Sequence, residues 1–469
     1  MTMQTRLLLC LLLLGLVRFG FSEGLGDEPV DGVVTETYLS GEVQRRYSVN
    51  EAGQKHGPFE VFAKDGTVLV KANYKDDLLD GRELRYFPSG KRHMVVTWSR
   101  GVLSGRWERF FESGQRKIST SYKRGVQAGK FIQSSEDGKW VLTAKYKDGL
   151  LDGALKVKDN GRVTSSQTWK AGAVLAIDGV QPFPRGEAEL VEQLAEVWGP
   201  GYSEAEGLSD EQVVDATRVM ALRRLQTYRA LCGLPFEDME LLPKWNDLCD
   251  AAAEVCRRLG NITHTPERPA DTDDKLYKDG KKGAGNSNLA MGSTLPTSVD
   301  QYMDDSDDSN IDRIGHRRWC LNPTMGRTGF GVSGRFSAMW SMDKSGKAPR
   351  DVDDVFFPPA GYVPVQMFGS HYAWNITPLG GSLPKEEDVE ITIQPLGDFY
   401  QPAGKPLEID YLHIDRGGFG AGATLIFRPA GLAVTAGRAY RCQVSLDGGK
   451  SVEYDQFIEF ISDPRLARR

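Results

Sequence analysis

The stretch "GRELRYFPSGKRHMVVTWSRGVLS", Gly81 to Ser104, is 24 residues long, and at Gly105 its pattern begins again. Gly57, Gly81, Gly105, Gly129 and Gly153 recur at this interval. So do Gly66, Gly90, Gly114 and Gly138, with Gly161 one residue early. The aromatics Tyr74, Trp98, Tyr122 and Tyr146 keep the same beat, with Trp169 again one short. Each unit holds two short alternating runs joined by a turn dipeptide: Asp65-Gly66, Ser89-Gly90, Ser113-Gly114, Asp137-Gly138 and Asn160-Gly161. Such dipeptides supply the positive φ that tight hairpins need. The units are therefore expected to be β-hairpins, with Gly81 and its equivalents turning the chain from one hairpin into the next. One hairpin cannot bury its apolar face alone, whereas a row of them forms a continuous elongated sheet with a thin aromatic core. Five units are visible, and a degenerate leading one begins near Gly41.

This period resembles the MORN repeat in its bacterial variant, and the resemblance places a MORN-type array at 41–178. It speaks for architecture and says little about chemistry. Between Lys55 and Gly172 there are 23 Lys and Arg against 13 Asp and Glu, while the whole chain stands at −6. A basic sheet joined to an acidic remainder suits docking on an anionic surface such as lipid headgroups or wall polymer. The competing reading is a solvated spacer whose lysines protect the strands. The aromatics belong to the hairpin beat, which argues against nucleic acid as a partner.

At 469 residues and 40% hydrophobic, the chain is too long for one core and should fold as several domains. Arg6, the run "LLLCLLLLGLV" and the exit Gly20-Phe21-Ser22 follow the order of a secretory signal peptide, expected at 1–22. A lipoprotein anchor at Cys10 competes, but more leucines follow that cysteine. No other apolar run reaches bilayer length, so no transmembrane segment is expected in the mature chain, which should be secreted or periplasmic. Five cysteines remain, Cys232, Cys249, Cys256, Cys320 and Cys442, an odd number without a CxxC spacing. Cys249 and Cys256 on one helix would stand about 10 Å apart, too far to bridge.

Residues 179–207 break the beat with prolines and glycines around one short amphipathic helix, as a linker would. From Ser209 the apolar period becomes 3.6, with Ser209 and Gln212 forming a capping-box pattern and Val213, Val214, Thr217, Met220, Ala221, Leu225 and Tyr228 on one face. A second helix in "PKWNDLCDAAAEVCRRLG" points Leu248, Ala252, Val255, Cys256 and Leu259 inward and ends at Gly260. The loop "NITHTP" then delivers His264. After it come a glycine-rich loop, "KKGAGNSNLAMG", and the segment "GHRRWCLNPTMGRTGFGV" from Gly315, whose end alternates like a strand.

The order of "YRALCGL", the His264 loop, "NLAMG", "VDQYM" and "GHRRWCLNP…GFGV" resembles the CAP superfamily of cysteine-rich secretory, antigen 5 and pathogenesis-related proteins, closest to a bacterial branch. The resemblance covers 208–345 and implies an α-β-α sandwich in which two His loops meet in a central cleft. That cleft is lined in the family by two histidines and two acids able to hold a divalent ion such as zinc. Here His264 and His316 match the histidines. Ser287 stands where the first acid belongs, just before Asn288, and cannot supply its charge. Tyr302 replaces a tryptophan, which places Asp305 at the second acid. His264, His316 and Asp305 are the candidate metal set, and His264, Ser287, Asn288, Asp305, His316 and Arg317 the candidate cleft. In the purely structural alternative, His316 hydrogen-bonds across the cleft, Trp319 and Leu321 pack inward, and Arg317 or Arg318 reaches an acidic neighbour.

Asp305, Asp307 and Ser309 alternate as in a calcium loop, yet the glycine and bidentate glutamate of such a loop are missing, so an acidic solvated loop is expected. No GxSxG, HExxH, P-loop or dinucleotide fingerprint occurs, and no catalytic residue is assigned. Residues 346–387 resemble the extension that follows the CAP core in the same bacterial branch. Beyond them, "VEITIQPL", "LEIDYLHI", "ATLIFRP", "AYRCQVSL" and "YDQFIEFI" alternate between Gly, Pro and Asp-Gly-Gly turns, which predicts a small β-sandwich over 388–464. The fold class expected is thus multidomain α+β: a MORN-type hairpin array, a CAP α-β-α sandwich, then a small β-sandwich. The function expected is a non-catalytic binding or scaffolding role at the cell envelope, with a polymer, lipid or protein ligand. The alternatives are a metal-assisted hydrolase using the cleft and a purely structural envelope protein.

Overall fold

The computed structural model describes residues 32–199, 209–347 and 349–466. The expected signal peptide, 1–22 with Cys10, lies outside them. The chain divides into two compact units, Met1–Pro182 and Phe183–Arg469.

The first unit is a 16-stranded antiparallel sheet whose strands follow one another from Val33–Thr37 to Ala173–Ile177, so it starts before Gly41. The repeat has a direct physical basis. Each lead glycine pairs with the beat aromatic of its own unit: Gly57 with Tyr74, Gly81 with Trp98, Gly105 with Tyr122, Gly129 with Tyr146 and Gly153 with Trp169. A ring opposite a bare glycine restores the packing the glycine lacks. At Gly105 φ is 111°, and an added Cβ would lie 3.2 Å from the Thr97 Cβ. Gly105→Ala is therefore expected to destabilise the array by about 1–3 kcal/mol, read as a lower urea midpoint for the sheet's transition. An unchanged midpoint would contradict the pairing argument.

The turns differ in part from the sequence reading. At Asp65-Gly66, Ser89-Gly90, Ser113-Gly114 and Asp137-Gly138 only the glycine has positive φ. At the first of these Gly66 donates to the Ala63 carbonyl and Ala63 to the Thr67 carbonyl, the pattern of a type I turn closed by a glycine bulge. The two-residue turns with two positive-φ residues stand elsewhere, at Asp76-Asp77, Arg100-Gly101, Arg124-Gly125, Asp148-Gly149 and Ala171-Gly172, as well as at Asn160-Gly161. The first five of these turns, not the lead glycines, carry the chain into the next hairpin, whereas Asn160-Gly161 joins the two strands of its own unit.

The second position after each lead glycine holds Phe59, Glu83, Trp107, Phe131 or Leu155. Glu83 is an acid in an apolar row. It is only 4% exposed and accepts hydrogen bonds from the Trp98 indole at 2.8 Å and from Arg85 Nε at 2.5 Å, as a buried carboxylate requires. On the strand exits, Leu78, Val102, Val126 and Leu150 recur at 24 residues and remain exposed.

The second unit opens with helix α1 (Glu187–Trp198), followed by α2 (Asp210–Leu231), α3 (Pro243–Leu259), α4 (Asp274–Ala284), α5 (Leu295–Asp304) and α6 (Gly315–Cys320). The Ser209 capping box forms: Gln212 N donates to Ser209 Oγ, and Ser209 N donates to the Gln212 side chain. A three-stranded antiparallel sheet runs in the order Ser287–Met291, Phe336–Trp340, Phe330–Ser333. Its two faces are both buried. Leu289, Phe336 and Ala338 pack with Leu248, Cys249 and Ala252 of α3. Ala290, Phe330 and Met339 join a core with Leu225 and Tyr228 of α2 and Val299 and Tyr302 of α5. Helices thus cover both sides of this sheet. The stretch "KKGAGNSNLAMG", read as a glycine-rich loop, instead ends α4 and forms the first strand. Gly280 and Gly283 sit within α4 because α3 passes where their side chains would be.

A two-stranded parallel pair, Glu240–Leu241 with Arg327–Thr328, and two four-stranded sheets complete the unit. One four-stranded sheet runs Asp354–Phe357, Trp374–Pro378, Thr424–Pro429, Ile409–Asp415. The other runs Gly361–Pro364, Tyr454–Ile461, Ala439–Ser445, Glu390–Leu396. Trp374 and Phe427 of the first share a core with Ile393 and Phe460 of the second, and Phe368 packs on both Trp374 and Phe460. All five alternating runs form strands, and residues 346–387 add three more to the same pair of sheets.

Candidate functional site

Two loops and one very short helix build the site. The loop after α3 carries His264, whose Nδ1 lies 3.0 Å from the Ala284 carbonyl at the end of α4. A carbonyl only accepts, so Nδ1 carries the proton and donates. Helix α6 carries His316, and the two imidazole centroids are 6.2 Å apart with their planes inclined at 33°. The Tyr302 ring of α5 lies 5.8 Å from the His316 ring. Neither Nε2 has a protein hydrogen-bond partner among the described residues.

Asp305 sets the orientation of His316. One carboxylate oxygen is 2.8 Å from His316 Nδ1, and the other accepts from the backbone amides of His316, at 2.9 Å, and Arg317, at 3.3 Å. The carboxylate is almost wholly buried, while the His316 side chain keeps 23% of its exposure. Burial by itself would lower the imidazole's affinity for a proton. The hydrogen bond to Asp305 and its charge outweigh burial, and the His316 pKa lies above the ordinary imidazole value. The loop between these partners is bracketed by two residues in left-handed backbone, Asp305 with φ 44° and Ile314 with φ 41°. Asp tolerates that region, but a β-branched isoleucine there is a strained outlier held by its surroundings.

The remaining candidates separate. Asn288 supports the site from beneath: its amide donates to the His316 carbonyl at 3.0 Å, and its own carbonyl accepts from Tyr302 OH at 3.2 Å. Ser287 points the other way along its strand, toward α3, with its hydroxyl 3.6 Å from Cys249 Sγ. Strand alternation requires this, because Asn288 and Ser287 occupy opposite faces. Arg317 is not a cleft residue. It is fully buried and donates to the carbonyls of Met303 at 2.7 Å, Ala373 at 2.6 Å and Asp304, with its guanidinium 4.8 Å from the Phe357 ring. Arg318 does reach an acidic neighbour, Asp415. Leu321 packs inward, while Trp319 is only half-buried. Asp307 caps its own turn through Ser309 and Asn310.

The candidate metal set is likewise reduced. Asp305 is spent on His316 and two backbone amides, and Ser287 faces α3. Among the described residues no group of three His, Cys, Asp or Glu side chains is arranged to hold a metal ion. A catalytic zinc centre takes three protein ligands and an open position. Two imidazoles alone do not fit it, although the carbonyl and carboxylate behind them do fix both rings. A small cavity lined by Arg317, Arg318, Leu321, Val355, Asn375, Thr377 and Ala421 touches neither histidine. The five cysteines are all free, and burial pushes the Cys249 thiol up to about 12, which makes it unreactive.

Comparison with known proteins bears on the first unit. Residues 55–76 match the family described as a MORN repeat variant. Among curated proteins, none matches the sequence. A solved structure described as "Crystal structure of GtfA/B complex bound to UDP and GlcNAc" is similar over 27% of this chain and 27% of its own, at 12% identity and a TM-score of 0.14. A likeness that slight carries no argument about fold or function. No helix among the described residues is long and apolar enough to cross a membrane.

Proposed function

We propose that this chain, with a MORN repeat variant in its hairpin array, is an exported, non-catalytic binding protein of the cell envelope whose second unit holds a ligand in a CAP-like cleft at His264 and His316. The observation that carries this reading is the pair of rings 6.2 Å apart, each fixed through Nδ1 and open at Nε2. The order of the motifs between "YRALCGL" and "GFGV" and the helices on both faces of the three-stranded sheet support the CAP likeness. Because Asp305 favours the protonated form of His316, the site presents a cationic N–H at mildly acid pH and suits an anionic group of a wall polymer or lipid. The array adds a surplus of Lys and Arg and the exposed ladder Leu78, Val102, Val126 and Leu150, which suit contact with an anionic, partly apolar surface. Export rests on the signal-like run at 1–22.

The test is sedimentation of the full chain with isolated envelope fractions over a salt and pH series. Pelleting at low salt is expected, and it should strengthen as pH falls through the His316 midpoint and weaken as salt rises. Failure to pellet at low salt at any pH would remove the envelope reading. With zinc added, no peptide or ester hydrolysis is expected. Turnover that disappears in His316→Ala would replace binding by metal-assisted hydrolysis.

A further inference from the structure

Helix α6 is the least self-sufficient element of the site. It has six residues, too few to be stable on helix propensity, and Ile314 at its N-cap supplies no side-chain hydrogen bond. Asp305 satisfies its first amides, and Asn288 and Arg229 donate to the carbonyls of His316 and Cys320, while the C-terminal sheets hold it from the other side. Arg317 reaches Ala373 O and, at 3.2 Å, Asn375 Oδ1. Arg318 pairs with Asp415, donates to Gly417 O at 2.5 Å and to Gly422 O, and lies over the Phe419 ring at 5.5 Å. Phe419 in turn lies against Gly315, where an added Cβ would meet its ring at 3.3 Å. Gly420 runs so close to the Arg318 carbonyl that any side chain there would overlap it. The loop "DRGGFGAG" from Asp415 to Gly422 therefore wraps the helix that presents His316.

We infer that the Asp415–Gly422 loop of the C-terminal sheets positions His316 opposite His264, with Asp415 and Gly420 as its positioning residues acting through Arg318. The inference rests on the reading of the two histidines as one site, but it concerns the ligand-free geometry, so it stands or falls separately from envelope binding. Buried Arg side chains with several fixed acceptors transmit position well, because the planar guanidinium tolerates little displacement.

The experiment uses the full chain and three variants: Asp415→Ala, Gly420→Ala, and Val444→Ala as a control. Val444 is fully buried on the strand Ala439–Ser445, where it pairs with Ile391 and Tyr454 of the second four-stranded sheet, so its loss reports weakened sheets alone. Two readouts are taken. One is amide hydrogen exchange of the peptide spanning Gly315–Leu321, and the other is the nuclear Overhauser contact between the His264 and His316 rings. Asp415→Ala and Gly420→Ala are each expected to speed exchange in that peptide by about tenfold or more and to abolish the ring contact. Val444→Ala should leave both near wild type. Should Gly420→Ala not fold, Asp415→Ala decides alone. Unchanged exchange and an intact ring contact in Asp415→Ala, or equal changes in Val444→Ala, would overturn the inference.

Discussion

Replacing Arg317 by methionine is expected to lower the stability of the second unit by about 3–5 kcal/mol, while the array's own transition stays in place. Methionine fills much of the same volume, so the loss is not chiefly one of packing. It comes from the buried carbonyls of Met303 and Ala373 and the part-buried one of Asp304, which lose their donor. Ser306 and Asn375 lose a partner too. Lysine should recover little, since a single ammonium cannot span acceptors placed around a planar fork. Thermal unfolding followed by a signal specific to the second unit checks this. A drop no larger than that of an average exposed substitution would mean that the guanidinium is not what binds α5, α6 and the first four-stranded sheet together.

The second large effect carries the opposite sign. Glu459, on the strand Tyr454–Ile461, is 6% exposed. Burial pushes its carboxyl up to about 7, against the opposing hydrogen bond from Tyr400 OH at 2.8 Å, and the nearby Glu187 adds to the rise. A carboxyl raised in the folded state binds more protons than in the unfolded chain. Stability therefore falls as pH rises from the unfolded value, near 4.5, to about 7, and then levels off. The difference corresponds to roughly 3 kcal/mol above neutrality. Glu459→Gln keeps the volume and an acceptor for Tyr400 but cannot ionise. It should be more stable than wild type by that order at about pH 8, and the two should converge below about pH 4. Denaturant unfolding at several pH values measures it. A constant offset between the two proteins at every pH would show that Glu459 is not the group responsible.

Much of the fold was legible because its signals are local. A glycine opposite an aromatic every 24 residues needs only nearby sequence to be read, and so does the alternation in "VEITIQPL" or "AYRCQVSL". The turns were harder. Arg100-Gly101 and Arg124-Gly125 adopt two positive φ values without an Asn or Asp to announce them, whereas Asp65-Gly66 looks like such a turn and uses only its glycine. Gly280 and Gly283 suggested a loop because the closeness of α3 cannot be seen in the residues beside them. The site divides in the same way. That His264 and His316 would face one another was implied only by the family resemblance, and their rings stand 6.2 Å apart. That Asp305 turns its whole carboxylate to α6, or that two consecutive arginines are buried, depends on partners up to 104 residues away. Arginine is seldom fully buried, so sequence alone places Arg317 at the surface of a cleft.

A double-mutant cycle on envelope binding tests the central claim most directly. Affinities of the full chain, His264→Ala, His316→Ala and the double variant are measured at low salt and mildly acid pH. If the two imidazoles form one site, each substitution weakens binding and the double variant is hardly weaker than either single one, because neighbouring groups on one ligand are not additive. Independent, additive losses, or binding that neither substitution changes, would contradict the account.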